Sequence, residues 1–168
     1  MPPKISFWRA LAIFSGLLML LPMSFDVNLP AMPTIAEALA VGDGRIQLTL
    51  ATLNLGLALG QVIYGPLADR YGRRPILLAS MAVFALTHLI AIWASDLTGL
   101  AGLRFLHGFS GAAASILVRA VVRDLYEGPA YARMLAYTFV TAAFMPIVGP
   151  MIGGGLIAFF AWPSIFLF

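Results

Sequence analysis

Long apolar runs, each closed by a short cluster of charges, set the rhythm of this chain. A helix needs about 20 mostly apolar residues to cross a bilayer. Five runs reach that length: about Trp8 to Asn28, Ile46 to Leu67, Pro75 to Ala94, Leu97 to Val118 and Met134 to Phe160. A further apolar stretch begins at Pro163 and stops at Phe168, too short to cross. The pattern predicts an all-α, polytopic membrane protein with five complete transmembrane helices and the start of a sixth.

Composition removes the soluble alternative. Hydrophobic residues make up 61% of the chain and charged residues 10%, against about 25% charge in an ordinary globular domain. A core built from 168 residues cannot hide that surplus, because a small domain leaves much of its surface in water. Lipid must cover the rest. With no Cys, disulfides and thiolate metal sites are excluded. His88 and His107 fall in different apolar segments without ligand spacing, so no metal is expected. No Ser/His or His/Glu pair has catalytic spacing and no phosphate-binding loop is present, so neither an enzyme nor a cofactor is expected.

The placement of charge gives a topology. Of the ten basic residues, eight fall on one side of the predicted spans: Lys4, Arg9, Arg70, Arg73, Arg74, Arg119, Arg123 and Arg133. Arg45 falls on the other side and Arg104 inside the fourth span. Cytoplasmic loops concentrate Lys and Arg, which puts the N-terminus in the cytoplasm. The net charge of +3 is therefore a topology signal, and no nucleic-acid partner is expected. A cleaved leader is the rival reading of the start, but the first run continues into Asp26-Val27-Asn28-Leu29-Pro30, a poor cleavage site.

The densest local signal is Gly65-Pro66-Leu67-Ala68-Asp69-Arg70-Tyr71-Gly72-Arg73-Arg74-Pro75. Gly65 is expected to allow close helix approach and Gly72 a tight turn. Pro75 can open a helix, where its missing N–H costs nothing. Asp69 can satisfy free N–H groups at a helix start. A plain positive-inside hairpin would explain glycines and arginines, but not the full spacing G-x-x-x-D-R-x-G-R-R.

That spacing resembles the signature loop between the second and third helices of the major facilitator superfamily. Three other stretches agree. Leu103-Arg104-Phe105-Leu106-His107-Gly108 is similar to the R-x-x-Q-G motif of the fourth helix, with His107 in place of Gln. Pro146-Ile147-Val148-Gly149-Pro150-Met151-Ile152-Gly153-Gly154 resembles the fifth-helix motif associated with exporters. Asp26-Val27-Asn28-Leu29-Pro30-Ala31-Met32-Pro33 and Val121-Val122-Arg123-Asp124-Leu125-Tyr126 resemble the Bcr/CflA-type drug:proton antiporter branch. The resemblance implies the N-terminal half of a twelve-helix fold in a bacterial cytoplasmic (inner) membrane. It implies proton-coupled efflux of small lipophilic drugs. It also implies a cytoplasmic charge cluster of Asp69, Arg73 and Asp124, for which solvated loop charges are the plain alternative.

Arg104 and Asp26 are the leading candidates for chemistry. An intramembrane charge is costly and usually faces a cavity or a partner. Each lies near the outer end of its span, so an Asp26–Arg104 pair is expected to be within reach. Asp26 would then carry the coupling proton, and an approaching or receding Arg would tune its hold on it. The plain alternative makes Asp26 interfacial and Arg104 a structural tether. His107, one turn from Arg104, is a third candidate; His88 is read as a polar helix–helix contact. The prolines Pro146 and Pro150 and the glycines Gly149, Gly153 and Gly154 are expected to bend the fifth helix and to let its backbone pack closely. Gly56 and Gly60 are read as packing residues.

Transporters of this kind hold substrate between two six-helix halves. The expected partners are a small lipophilic substrate, protons and the lipid bilayer. Self-association or a missing C-terminal half would complete the cavity. The rival function is a non-transporting membrane fragment, or a partner of another transporter.

Overall fold

A computed structural model describes residues 6–167 of the chain. Lys4 and Phe168, used above for the charge balance and the short last stretch, lie outside them. The elements are α1 (Phe7–Asp26), a 3-10 turn (Leu29–Ala31), α2 (Met32–Ala38), α3 (Asp43–Ile46), α4 (Leu48–Tyr71), α5 (Arg73–Ala91), α6 (Leu97–Leu125), α7 (Gly128–Ala142), α8 (Met145–Phe159) and a second 3-10 turn (Trp162–Phe166). No strand occurs among the described residues. Five stretches are long and apolar enough to cross a membrane: Phe7–Ala38, Gly44–Tyr71, Arg73–Ala91, Leu97–Leu125 and Gly128–Phe159.

The sequence predicts the last of these as a single helix bent by its prolines, and the bend is a full break. The span is two helices, α7 and α8, joined through Ala143 and Phe144. Pro146 explains the break. Its ring collides with the carbonyl four residues back, which belongs to Ala142, the last residue of α7. Pro146 then sits in the first turn of α8, where no donor is missed. Only Pro150 lies inside a helix here.

α6 is the centre of the bundle. It packs against α4, α5 and α1, and its small residues Gly108, Gly111, Ala112, Ala113 and Ala114 are all buried. The closest seam is with α4. A Cβ on Gly56 would run into the backbone of Phe105 and Phe109; one on Gly108 would run into the backbone of Leu53 and Leu57. Gly60 meets Ala112 in the same way. Small residues spaced four apart on both helices let the backbones touch, the usual route to tight packing where lipid offers no hydrophobic drive. Gly65, expected to make such an approach, faces open space instead.

Several hydroxyls within the spans are satisfied locally. The hydroxyls of Ser80, Thr87, Ser110 and Thr138 each donate to the carbonyl four residues back. In hydrocarbon an unpaired polar group is expensive, and this back-bonding meets the need without a partner helix. Many large apolar side chains point outward, among them Val62, Leu86, Met151 and Phe159, as a lipid-facing surface requires.

At one end, Val27, Ala31, Ile35, Leu97, Leu100 and Ile165 close the bundle as one apolar cluster. At the end that carries the arginine-rich links, Phe14, Val118, Val122, Tyr126 and Met134 form a second. α6 starts on a true cap, because Asp96 Oδ1 accepts from the N–H of Gly99 at 2.8 Å.

Candidate functional site

Arg104 sits about two turns into α6 from its start and is 2% exposed. Its Nη1 donates to the carbonyl of Ser24 at 3.2 Å and lies 3.4 Å from the Ser24 hydroxyl. The ring of Phe166 lies 4.8 Å from the guanidinium carbon, so a face of π density supplies part of what water would. The Arg104 Nε finds no hydrogen-bond partner among the described residues.

The Ser24 carbonyl is available because α1 tightens at its end. The N–H of Asn28 bonds to Phe25, three residues back, and not to Ser24. The Asn28 side-chain amide takes up the Ser24 carbonyl instead, at 2.8 Å. Two side chains thus clamp one carbonyl, one from the residue that follows the end of α1 by two and one from α6.

Asp26 does not join them. No hydrogen bond or ion pair reaches its carboxylate among the described residues. The expected Asp26–Arg104 pair is therefore not made in this conformation, and helix geometry says why. Two residues of α-helix turn about 200°, so when Ser24 faces α5 and α6, Asp26 faces away. It lies against α8: a Cβ on Gly149 would come 2.5 Å from the Asp26 Cβ, and one on Gly153 would strike the carbonyl of Val27. Two of the fifth-span glycines thus seat the end of α1. Gly154 meets nothing.

His107 is fully buried and neither ring nitrogen has a hydrogen-bond partner. Its ring stacks on that of His88 with centroids 3.8 Å apart. His88 in turn places Nε2 3.0 Å from the Ser24 hydroxyl and Nδ1 3.0 Å from the Phe84 carbonyl. One buried polar knot therefore ties α1, α5 and α6 through Ser24, His88, Arg104 and His107. Ser24 and His88 are the members that the motifs did not announce. The available signal was only that both are polar residues inside a predicted span.

The arginine-rich hairpin is built as a second group. Gly72 has φ +90°, which only glycine adopts without strain. The turn hands α4 directly to α5, and Pro75 falls in the first turn of α5. Arg73 pairs with Asp124 and also donates to the carbonyl of Ala120, so it staples the start of α5 to the end of α6. Asp69 faces the same surface hollow as Arg73, Arg74 and Asp124. Its carboxylate makes no hydrogen bond among the described residues, and the start of α5 has no side-chain cap. Asp69 therefore does not cap the start of α5.

A family profile described as Major Facilitator Superfamily matches residues 13–168. The chain belongs to the major facilitator superfamily. With its five spans it is a multi-pass membrane protein of that transporter family. It is 39% identical over 160 residues to an "Uncharacterized MFS-type transporter YdgK" of Bacillus subtilis, covering 94% of this chain and 40% of the relative. It is 37% identical over 148 residues to a "Bicyclomycin resistance protein homolog" of Haemophilus influenzae, covering 88% and 37%. It is 33% identical over 152 residues to a "Chloramphenicol resistance protein" of Pseudomonas aeruginosa, covering 89% and 36%. The chain spans about two fifths of the length of the curated superfamily relatives it matches.

Proposed function

We propose that this chain forms the proton-handling N-terminal half of a drug:proton antiporter that exports small lipophilic compounds. Residues 1–168 would be five helices and the start of the sixth from the first half of a twelve-helix fold, with the N-terminus in the cytoplasm of a bacterial inner membrane. The second wall of the cavity would come from a C-terminal half or from a second copy of the chain. Export is supported by the resistance proteins among its relatives. The inside-positive placement of Arg70, Arg73, Arg74, Arg119, Arg123 and Arg133 supports the orientation.

The observation that carries the coupling role is the pair of alternatives at the end of α1. Arg104 holds Ser24, and Asp26, two residues on, stands unpaired against Gly149. Asp26 is the exchangeable proton carrier in this reading. A turn of the α1 end would bring its carboxylate to Arg104 and displace the proton. The same turn would break the seat on Gly149 and Gly153 and so move the fifth span, which links proton exchange to the shape of the cavity. His107 lines the dry side of the knot next to Arg104. Arg73 and Asp124 hold one closed arrangement of the cytoplasmic face, with Asp69 left to meet a group of the other half. The hairpin residues Gly65, Arg70, Gly72 and Arg74 keep the turn tight and in the cytoplasm.

Adding a substrate drug to protein in weakly buffered detergent tests this role. Proton release is expected from the native chain and none from Asp26→Asn. Equal release from both would remove Asp26 from the mechanism. Absence of release from either, with no drug bound, would favour a non-transporting partner of another transporter.

A further inference from the structure

The buried knot holds more information than the charge pair needs, and it lies in the hydrogens of His88 and Ser24. His88 Nδ1 stands 3.0 Å from the Phe84 carbonyl. A carbonyl only accepts, so in the neutral ring Nδ1 carries the hydrogen. Nε2 is then a bare lone pair, and the Ser24 hydroxyl 3.0 Å away must donate to it. A hydroxyl has one hydrogen. With that hydrogen committed to His88, Ser24 Oγ can offer only lone pairs on its other side, and Arg104 Nη1 is the donor there at 3.4 Å. Donation runs from Arg104 to Ser24, from Ser24 to His88, and from His88 to the Phe84 carbonyl.

The imidazole is itself held. Its ring lies 4.3 Å from that of Phe84 and 3.8 Å from that of His107, centroid to centroid. His107 is fully buried, so it backs one face of the His88 ring. The charged and titratable groups around His88 are Arg104 and His107 from α6; α1 contributes the neutral Ser24.

We propose that Ser24 and His88 form a latch that keeps Arg104 on the α5–α6 side of the end of α1, with His88 as the positioning residue. While the latch holds, Ser24 presents both its carbonyl and its hydroxyl lone pairs to Arg104, and the helix keeps Asp26 turned toward Gly149. When it opens, Arg104 loses a ligand, the last turn of α1 is held by fewer bonds, and Asp26 takes the guanidinium. That last turn is suited to rotate. Pro22 removes one rung of its ladder, and the Asn28 N–H already bonds to Phe25 and not to Ser24. The latch rests on the proposed Asp26–Arg104 exchange and names what controls it.

The test is a through-space NMR measurement on the chain in lipid bilayers, with labelled arginine side chains and labelled aspartate carboxyls. The Arg73–Asp124 pair supplies an internal cross-peak that reports a folded bundle. The unmodified chain is expected to show that peak and no Asp26–Arg104 peak. Ser24→Ala and His88→Leu should each gain the second peak, and adding Asp26→Asn should abolish it. His88→Gln, which keeps an acceptor for the Ser24 hydroxyl, should resemble the unmodified chain. An Asp26–Arg104 peak of full strength in the unmodified chain would overturn the latch, as would no gain in either latch variant. If those variants lose the Arg73–Asp124 peak, the nitrogen spectrum of the labelled histidines in the unmodified chain decides. Hydrogen on Nδ1 of His88 upholds the latch; hydrogen on Nε2 overturns it. These spectra do not depend on transport, so failure of drug export with the expected spectra would overturn the coupling role and leave the latch standing.

Discussion

Gly149 lies so close to Asp26 that a methyl group in its place would come 2.5 Å from the Asp26 Cβ. The fifth span and the candidate proton carrier are thus in backbone-level contact, and a motif glycine is what allows it. Gly149→Ala and Gly153→Ala should each destabilise the bundle by about 1–3 kcal/mol, the usual cost of overpacking. Gly154→Ala, which meets open space, should change stability by less than about 0.5 kcal/mol. Unfolding in mixed micelles with increasing denaturing detergent measures all three. Equal costs at Gly153 and Gly154 would contradict the described seam.

Gly72 makes the hairpin between α4 and α5 with φ +90° and ψ 149°. A side chain there is strained whatever the space around it. Gly72→Ala should cost about 1–3 kcal/mol, measurable by the same unfolding experiment. Gly65→Ala, seven residues earlier and facing open space, is the matched control and should be near neutral.

Asp96 begins α6, the helix on which the rest of the bundle packs. Asp96→Ala removes the acceptor of the Gly99 N–H and should cost about 1 kcal/mol. Asp96→Ser and Asp96→Asn should recover most of it. No loss in the alanine variant would mean that lipid headgroups or water replace the cap.

The Arg73–Asp124 pair joins α5 to α6 where Asp124 is half exposed, at 52%. Exposed pairs contribute about 0–1 kcal/mol. A double-mutant cycle with Arg73→Ala and Asp124→Ala should therefore give a coupling of that size that shrinks in high salt. A coupling of several kcal/mol would mark the pair as buried in the membrane-embedded protein.

The architecture was legible because apolar runs of span length leave a chain few choices. The hairpin was legible at Gly72, whose turn is a property of one residue. Legibility failed where structure depends on rotation about a helix axis. Depth along the span put Asp26 and Arg104 at one level, but the two-residue offset between Ser24 and Asp26 decides which of them Arg104 meets. The same limit hid the role of Ser24, an ordinary serine in sequence. The break at Ala143 and Phe144 was legible in principle, since Pro146 forbids a carbonyl at Ala142 from continuing the ladder. The role of Gly65 was misread because a glycine in a motif says nothing about which neighbour, if any, comes near it.

The central claim is that Asp26 exchanges the proton that drives export. Dye accumulation in inverted membrane vesicles containing this chain, with and without an imposed proton gradient and beside Asp26→Asn, tests it most directly. Gradient-dependent uptake is expected from the native chain and is expected to be lost in Asp26→Asn. Gradient-driven uptake that survives Asp26→Asn unchanged would contradict the claim.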